Sequence, residues 1–244
     1  MGVREDTLKM LREGLSPKEI SRARGVNINT TLGYLDQLVG QGQLRRSDIL
    51  FTVPREIRQI TTAFGLPGED HRVVNDRLRR SEFTVDPEDI QTVQKYRDAR
   101  HALGDMYEDI RTIETHLHQI IQETLEEKYG EELMGWWRQG IPEPVRKSCV
   151  IRQEEDSEPV SDPYCYTELL DLWQILDKQW TVLSKVLPDE MTKSKQDLRR
   201  KMVRLNTIRR NVMHPVRGVV PSEDDFEFVR DLLRILVRLD SEED

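Results

Sequence analysis

Apolar residues recur at intervals of three and four over most of this chain, and that spacing limits it to helices packed on helices. Leu169, Trp173, Leu176, Trp180, Leu183 and Leu187 form one such series. Ile90, Val93, Tyr96, Leu103, Met106, Ile110, Ile113, Leu117 and Ile120 form another, and Phe226, Val229, Leu233 and Leu236 a third. A 3.6-residue repeat places each series on one side of a helix, so each must bury that side against a neighbour. Charged residues make up 34% of the 244 positions and aromatic residues only 6%, which suits helices with solvated outer faces rather than a β-sandwich. The apolar runs are too short for a membrane span. The start, Met1-Gly2-Val3-Arg4-Glu5-Asp6, has no apolar signal region, and Asp6 stands where a myristoylation motif needs Ser or Thr. The expectation is a cytoplasmic protein with no membrane partner. Its two cysteines, Cys149 and Cys165, lack the spacing of a metal clip, and no cofactor or metal is expected.

The N-terminal residues carry strong punctuation. Helices are expected over 5–13, 17–24, 29–40 and 54–64. Ser16-Pro17 with Glu19 is a capping box with Pro at the first helical position. Helix, tight turn and helix make a helix-turn-helix pattern. Gly40-Gln41-Gly42-Gln43-Leu44, followed by Ile49-Leu50-Phe51-Thr52-Val53, reads as a small β-wing with Arg45 and Arg46 near its tip. Leu15 to Leu44 resembles the helix-turn-helix unit of winged-helix regulators. That resemblance implies a third helix reaching duplex DNA through Asn29, Thr30, Thr31 and Tyr34, with Arg45 and Arg46 assisting. Docking on a protein is the alternative, since no Arg or Lys lies between Asn29 and Gln43. The expected division is a winged helix-turn-helix domain over 1–64, a linker and connector helix over 65–99, and a helical bundle over 100–240. Asp86-Pro87-Glu88-Asp89 starts a helix expected to run to 129, weakened at Gly104. The tail from Asp240 to Asp244 is expected to fray.

Charge is unevenly distributed. The whole chain carries −8, yet residues 1–58 carry +3 and residues 193–217 hold nine Lys or Arg against one acid, Asp197. A local basic strip binds phosphates on an acidic body once salt screens the distant charge. In that strip Leu198, Met202, Leu205 and Val212 form the apolar line of a helix, and Arg209 falls on the same line. Pro215 disfavours helix at His214, so the imidazole marks the helix exit. Arg, four residues, then His is a weak spacing by itself; Arg111 and His116 repeat it in mid-helix as a surface coincidence.

The context adds specificity. Glu114-Thr115-His116-Leu117-His118, Lys128-Tyr129-Gly130, Trp136-Trp137, Ile141-Pro142 and Tyr166 precede Arg209 and His214 in that order. Over roughly residues 100 to 240 the chain resembles the HEPN domains, of the Swt type, a helical family with many metal-independent ribonucleases. The resemblance implies a mainly α protein ending in an antiparallel HEPN bundle. It also implies a homodimer whose joint groove is lined by Arg209 and His214 of both copies, and an RNA substrate. Imidazole suits proton transfer, and guanidinium presents a fixed fork to phosphoryl oxygens. Arg210 and Asn211 are candidates for substrate contact, and Glu114 for orienting Arg209. The family usually has a small polar residue directly after its Arg; here that place is Arg210, with Asn211 one later. The expected function is an endoribonuclease, in a setting such as defence or toxin–antitoxin control. The alternatives are a non-enzymatic DNA-binding transcriptional regulator whose bundle only dimerises, and an adaptor whose helix-turn-helix holds a protein antitoxin or regulator.

Overall fold

The computed structural model describes residues 2–66, 68–97, 99–214, 216, 219 and 221–237; for 99–102, 133–134 and 237 it describes the backbone alone. Pro67, Pro215, Arg217 and the tail 240–244, all used in the sequence reading, lie outside the described residues. The chain divides into two compact units, Met1–Asp105 and Met106–Asp244. It is mainly helical, and among the described residues there is no strand.

The first unit holds α1 (Val3–Arg12), α2 (Pro17–Arg24), α3 (Ile28–Gly40), α4 (Arg46–Leu50), α5 (Arg55–Phe64), α6 (His71–Arg80) and α7 (Pro87–Tyr96). The expected caps are in place. The Ser16 backbone N–H donates to Glu19 Oε2 at 2.8 Å, and Gly25 takes a left-handed φ of 62° that turns the chain out of α2. Asn27 Oδ1 accepts from the Asn29 N–H at 2.8 Å, starting α3. Leu11, Ile20, Ile28, Leu32, Leu35, Leu38, Leu44 and Ile49 close a core beneath these helices. Each such side chain contributes about 1.5–3 kcal/mol on burial.

The β-wing is replaced by a helix. After α3 the chain turns at Gly42, with φ of 71°. The Arg45 N–H then donates to Asp48 Oδ2 at 2.8 Å, which caps α4 and commits Arg46–Leu50 to helix. Ile49, expected on a strand, is fully buried in the core. A carboxylate three residues into a turn is a helix-start signal, and here it outweighs the apolar run that read as a wing strand.

The segment expected to be linker is also structured. Val74 and Leu78 of α6 and Ile90 of α7 are buried together, with Ile60, Phe64 and Val85 packed on them. Gly65 permits the close approach of α5 and α7, because a Cβ there would lie 2.2 Å from Gln94 Nε2. The helix expected over 87–129 is two helices. α7 ends at Tyr96, and Arg97 is extended, with ψ of 107°. The break comes where Tyr96 is drawn into the core and its hydroxyl donates to Asp36 Oδ1 at 3.0 Å. Gly104 lies within the following helix α8 (Ala99–Tyr129) and does not break it. The boundary between units falls inside α8.

The second unit continues from α8 into a π-helical segment (Leu133–Gly140), α9 (Glu143–Glu155), a 3₁₀ turn (Pro163–Tyr166), α10 (Leu169–Lys178), α11 (Trp180–Leu183), α12 (Asp189–Thr192), α13 (Lys195–Met213) and α14 (Glu223–Val237). Its core joins Ile110, Ile113, Leu117 and Ile121 of α8 to Leu172 and Ile175 of α10 and to Leu198, Met202 and Leu205 of α13. The seam read over 169–187 is interrupted at Gln179. This buried side chain accepts from the Tyr129 hydroxyl at 3.0 Å and donates to the Gly140 carbonyl at 2.8 Å. Gly135 allows the π-helical turn to wrap the end of α8, since a Cβ would sit 2.4 Å from the Tyr129 carbonyl oxygen.

Tyr164 is the hub of the aromatic packing. Trp136 meets its ring edge-on at 5.1 Å, and the His118 ring lies tilted over it at 3.8 Å. Its hydroxyl donates to the His118 carbonyl at 3.0 Å, and His118 Nε2 lies 3.0 Å from the Tyr164 carbonyl. Burial holds the His118 imidazole below its ordinary pKa, against the pull of that carbonyl and of Asp162. Trp173 and Trp180 pack against the core, as their seam predicts.

Candidate functional site

On the helix-turn-helix, Asn29 and Thr30 are exposed at the start of α3, and Tyr34 is half-buried with the Arg24 guanidinium 5.5 Å from its ring centre. Thr31 is fully buried and cannot reach a nucleic acid from that position. Arg45 and Arg46 do not form a wing tip. Arg45 pairs with Asp48 at 3.2 Å. Arg46 donates to the Lys95 carbonyl at 2.7 Å and lies 5.7 Å from the Tyr96 ring centre.

The sequence reading missed the role of α7. Its acidic first turn meets the cations of α2: Lys18 pairs with Asp89 and, at 3.6 Å, with Asp86, while Arg22 reaches Asp86 at 3.0 Å. Burial raises the Asp89 carboxyl, with Lys18 opposing the rise. Burial likewise works against the Lys18 charge, yet Asp89 and Asp86 together more than compensate and the ammonium ends above its ordinary pKa. Lys95 on the same helix pairs with Asp36 of α3 at 2.7 Å, and Gln91 donates to Asn29. The Asp-Pro-Glu-Asp start of α7 was legible as a cap; its second use as a partner for α2 was not.

In the second unit Arg209 lies seven residues after Met202 and four after Leu205, on the side of α13 that carries the buried residues. Its Nε donates to Glu114 Oε2 at 3.1 Å and lies 2.9 Å from Oε1 of the same carboxylate. Burial raises the Glu114 carboxyl, and the guanidinium pulls it back. α13 ends at Met213, and the His214 N–H donates to the Arg210 carbonyl at 3.2 Å. His214 and Arg210 are exposed, and Asn211 is half-buried. The structure therefore brings Arg209 to Glu114. Among the described residues it records no bond between Arg209 and His214. Residues five apart on a helix lie about 140° apart around its axis, whereas Arg210 and His214, four apart, share the outer side. Arg152 and Asp171 form an inner ion pair at 2.8 Å that no sequence motif announced.

Among the described residues no group of three or more His, Cys, Asp or Glu could hold a metal ion, and no helix is long and apolar enough to cross a membrane. No curated protein matches the chain, and no solved structure does. Residues 3–111 match the family model described as a helix-turn-helix domain. The match supports a helix-turn-helix domain at the N-terminus, and it runs past the three helices of the motif through α4 to α7 and into α8.

Proposed function

We propose that the chain is a metal-independent endoribonuclease of the HEPN type, joined to a helix-turn-helix unit that binds nucleic acid or a partner protein. The observation that carries this reading is the contact between Glu114 and Arg209. The two are 95 residues apart, and Glu114 is the residue that the sequence offers for orienting Arg209. A carboxylate that bonds Nε fixes the guanidinium plane and leaves its terminal nitrogens to meet a phosphoryl group. His214, exposed where α13 ends, offers an imidazole, a side chain suited to moving the proton of a ribose 2′-hydroxyl or of the leaving 5′-oxygen. In this reading two copies meet at the bundle and each contributes one such set. Purified protein incubated with end-labelled single-stranded RNA in EDTA is expected to give fragments ending in a cyclic phosphate, and His214→Ala to give none. Intact RNA with both proteins overturns the reading.

A second reading is favoured by Arg210, which occupies the place after Arg209 where the family has a small polar residue, and by the helix-turn-helix match. In it the chain is a DNA-binding regulator and the bundle a dimerisation element. A band shift on duplex DNA that survives His214→Ala, disappears with Asn29→Ala/Thr30→Ala, and accompanies no RNA cleavage is the result that selects it.

A further inference from the structure

The outer face of α13 carries arginines that the bundle does not use. Projected at 100° per residue, Arg199, Arg200, Val203, Thr207, Arg210 and His214 fall within about 120° of arc, and all six are exposed. Val203 is 49% exposed, an apolar side chain set between guanidinium groups. Among the described residues Arg199 and Arg210 form no ion pair, and Arg200 reaches only Asp197 on its own helix, at 3.0 Å. Arg204, one step off the stripe, is engaged: it pairs with Asp225 at 3.1 Å and lies 4.4 Å from the Phe228 ring centre. Arg199, Arg200 and Val203 also line a shallow open furrow with Gln196 and Arg204.

We infer that this stripe is a track for single-stranded RNA, with phosphates on Arg199, Arg200 and Arg210 and unpaired bases against Val203 and the guanidinium planes, leading the strand to His214. The inference rests on the ribonuclease reading and names how its substrate is held. Arg199 and Arg210, without an opposed acid among the described residues, and Arg200, paired only within α13, make a local basic patch on a chain of net charge −8, where a polyanion is favoured to lie. The choice of strand follows from shape. A single convex helix face cannot enter the deep, narrow major groove of an RNA duplex, whereas splayed bases stack on guanidinium groups and pack on small apolar ones. Arg199 to Arg210 spans about 16 Å of helix at 1.5 Å per residue, a stretch that a few nucleotides cover.

The test uses the full chain and a 2′-O-methylated 12-nucleotide uridine strand, which lacks the nucleophile and stays whole. Fluorescence anisotropy at two salt concentrations is expected to show R199E/R200E binding at least about tenfold more weakly, with a salt dependence flatter by about 1.4 in log–log slope, near 0.7 per phosphate contact. Lys147→Glu, a charge reversal on the exposed side of α9, is expected to bind as the wild type does. Equal affinity for R199E/R200E and wild type overturns the track, as does an equal loss in Lys147→Glu. A 4-thiouridine strand that crosslinks only to residues 1–105 overturns it as well. Loss of binding in R199E/R200E beside a wild type that cleaves no RNA keeps the track and removes the ribonuclease. Unchanged binding beside a wild type that does cleave removes the track alone.

Discussion

The two units place their cations in opposite ways. In the first, the basic side chains closest to the helix-turn-helix are turned onto the unit itself: Lys18 and Arg22 onto the acidic turn of α7, Arg45 onto Asp48, and Arg46 onto the end of α7. In the second, α13 sends Arg209 inward to Glu114 and leaves Arg199 and Arg210 outward. Net charge along the sequence, +3 over residues 1–58, pointed to the first unit as the basic one. The geometry shows instead that much of that charge is matched within the fold. A count of Lys and Arg measures how much charge a segment holds, and only the partners decide how much of it a ligand meets.

That contrast can be broken by removing the partners. Asp89→Ala has the largest expected effect, because it strands a partly buried ammonium with only the longer Asp86 contact. The first unit is expected to lose about 2–3 kcal/mol, read by urea denaturation followed by helix content. A loss below about 0.5 kcal/mol would mean that the clasp of α7 on α2 is incidental. Glu114→Ala comes next, with about 1–2 kcal/mol expected, since both partners are partly exposed and the pair is partly screened. All four tryptophans, Trp136, Trp137, Trp173 and Trp180, lie in the second unit, so their fluorescence reports that loss without interference from the first. Arg199→Ala is the smallest: stability within about 0.5 kcal/mol of wild type, by the same fluorescence. A larger loss would place Arg199 among the inward cations and erase the contrast.

The helices with strong punctuation were legible. Ser16-Pro17 with Glu19, Asn27 and Asp86-Pro87 each begin a helix where the sequence predicts one, because capping is local chemistry. What failed was decided by partners far along the chain. Residues 49–53 read as the strand of a wing, yet Asp48 caps 46–50 into α4 and the core takes Ile49. Residues 65–99 look like a linker until Val74, Leu78 and Ile90 find Ile60 and Phe64. Helical spacing gave no warning of the break after Tyr96, whose hydroxyl donates to Asp36, 60 residues earlier. At the candidate site the same division holds. The inward side of Arg209 follows from its register with Met202 and Leu205, whereas the convergence expected with His214 depends on how the chain leaves α13. Thr31 shows the cost of reading polarity as exposure: a hydroxyl placed for contact turned out to be core.

The bond between Glu114 and Arg209 also sets an order of events during synthesis. A ribosome adding about 5–20 residues per second takes roughly 5–20 s to travel from one to the other. For that time the nascent α8 has its apolar side made and the α13 that covers it unmade. The first unit, whose caps and core come from nearer neighbours, can close in the meantime. A chaperone encountering this chain on the ribosome would therefore be expected to hold α8 longest, and release would wait for α13.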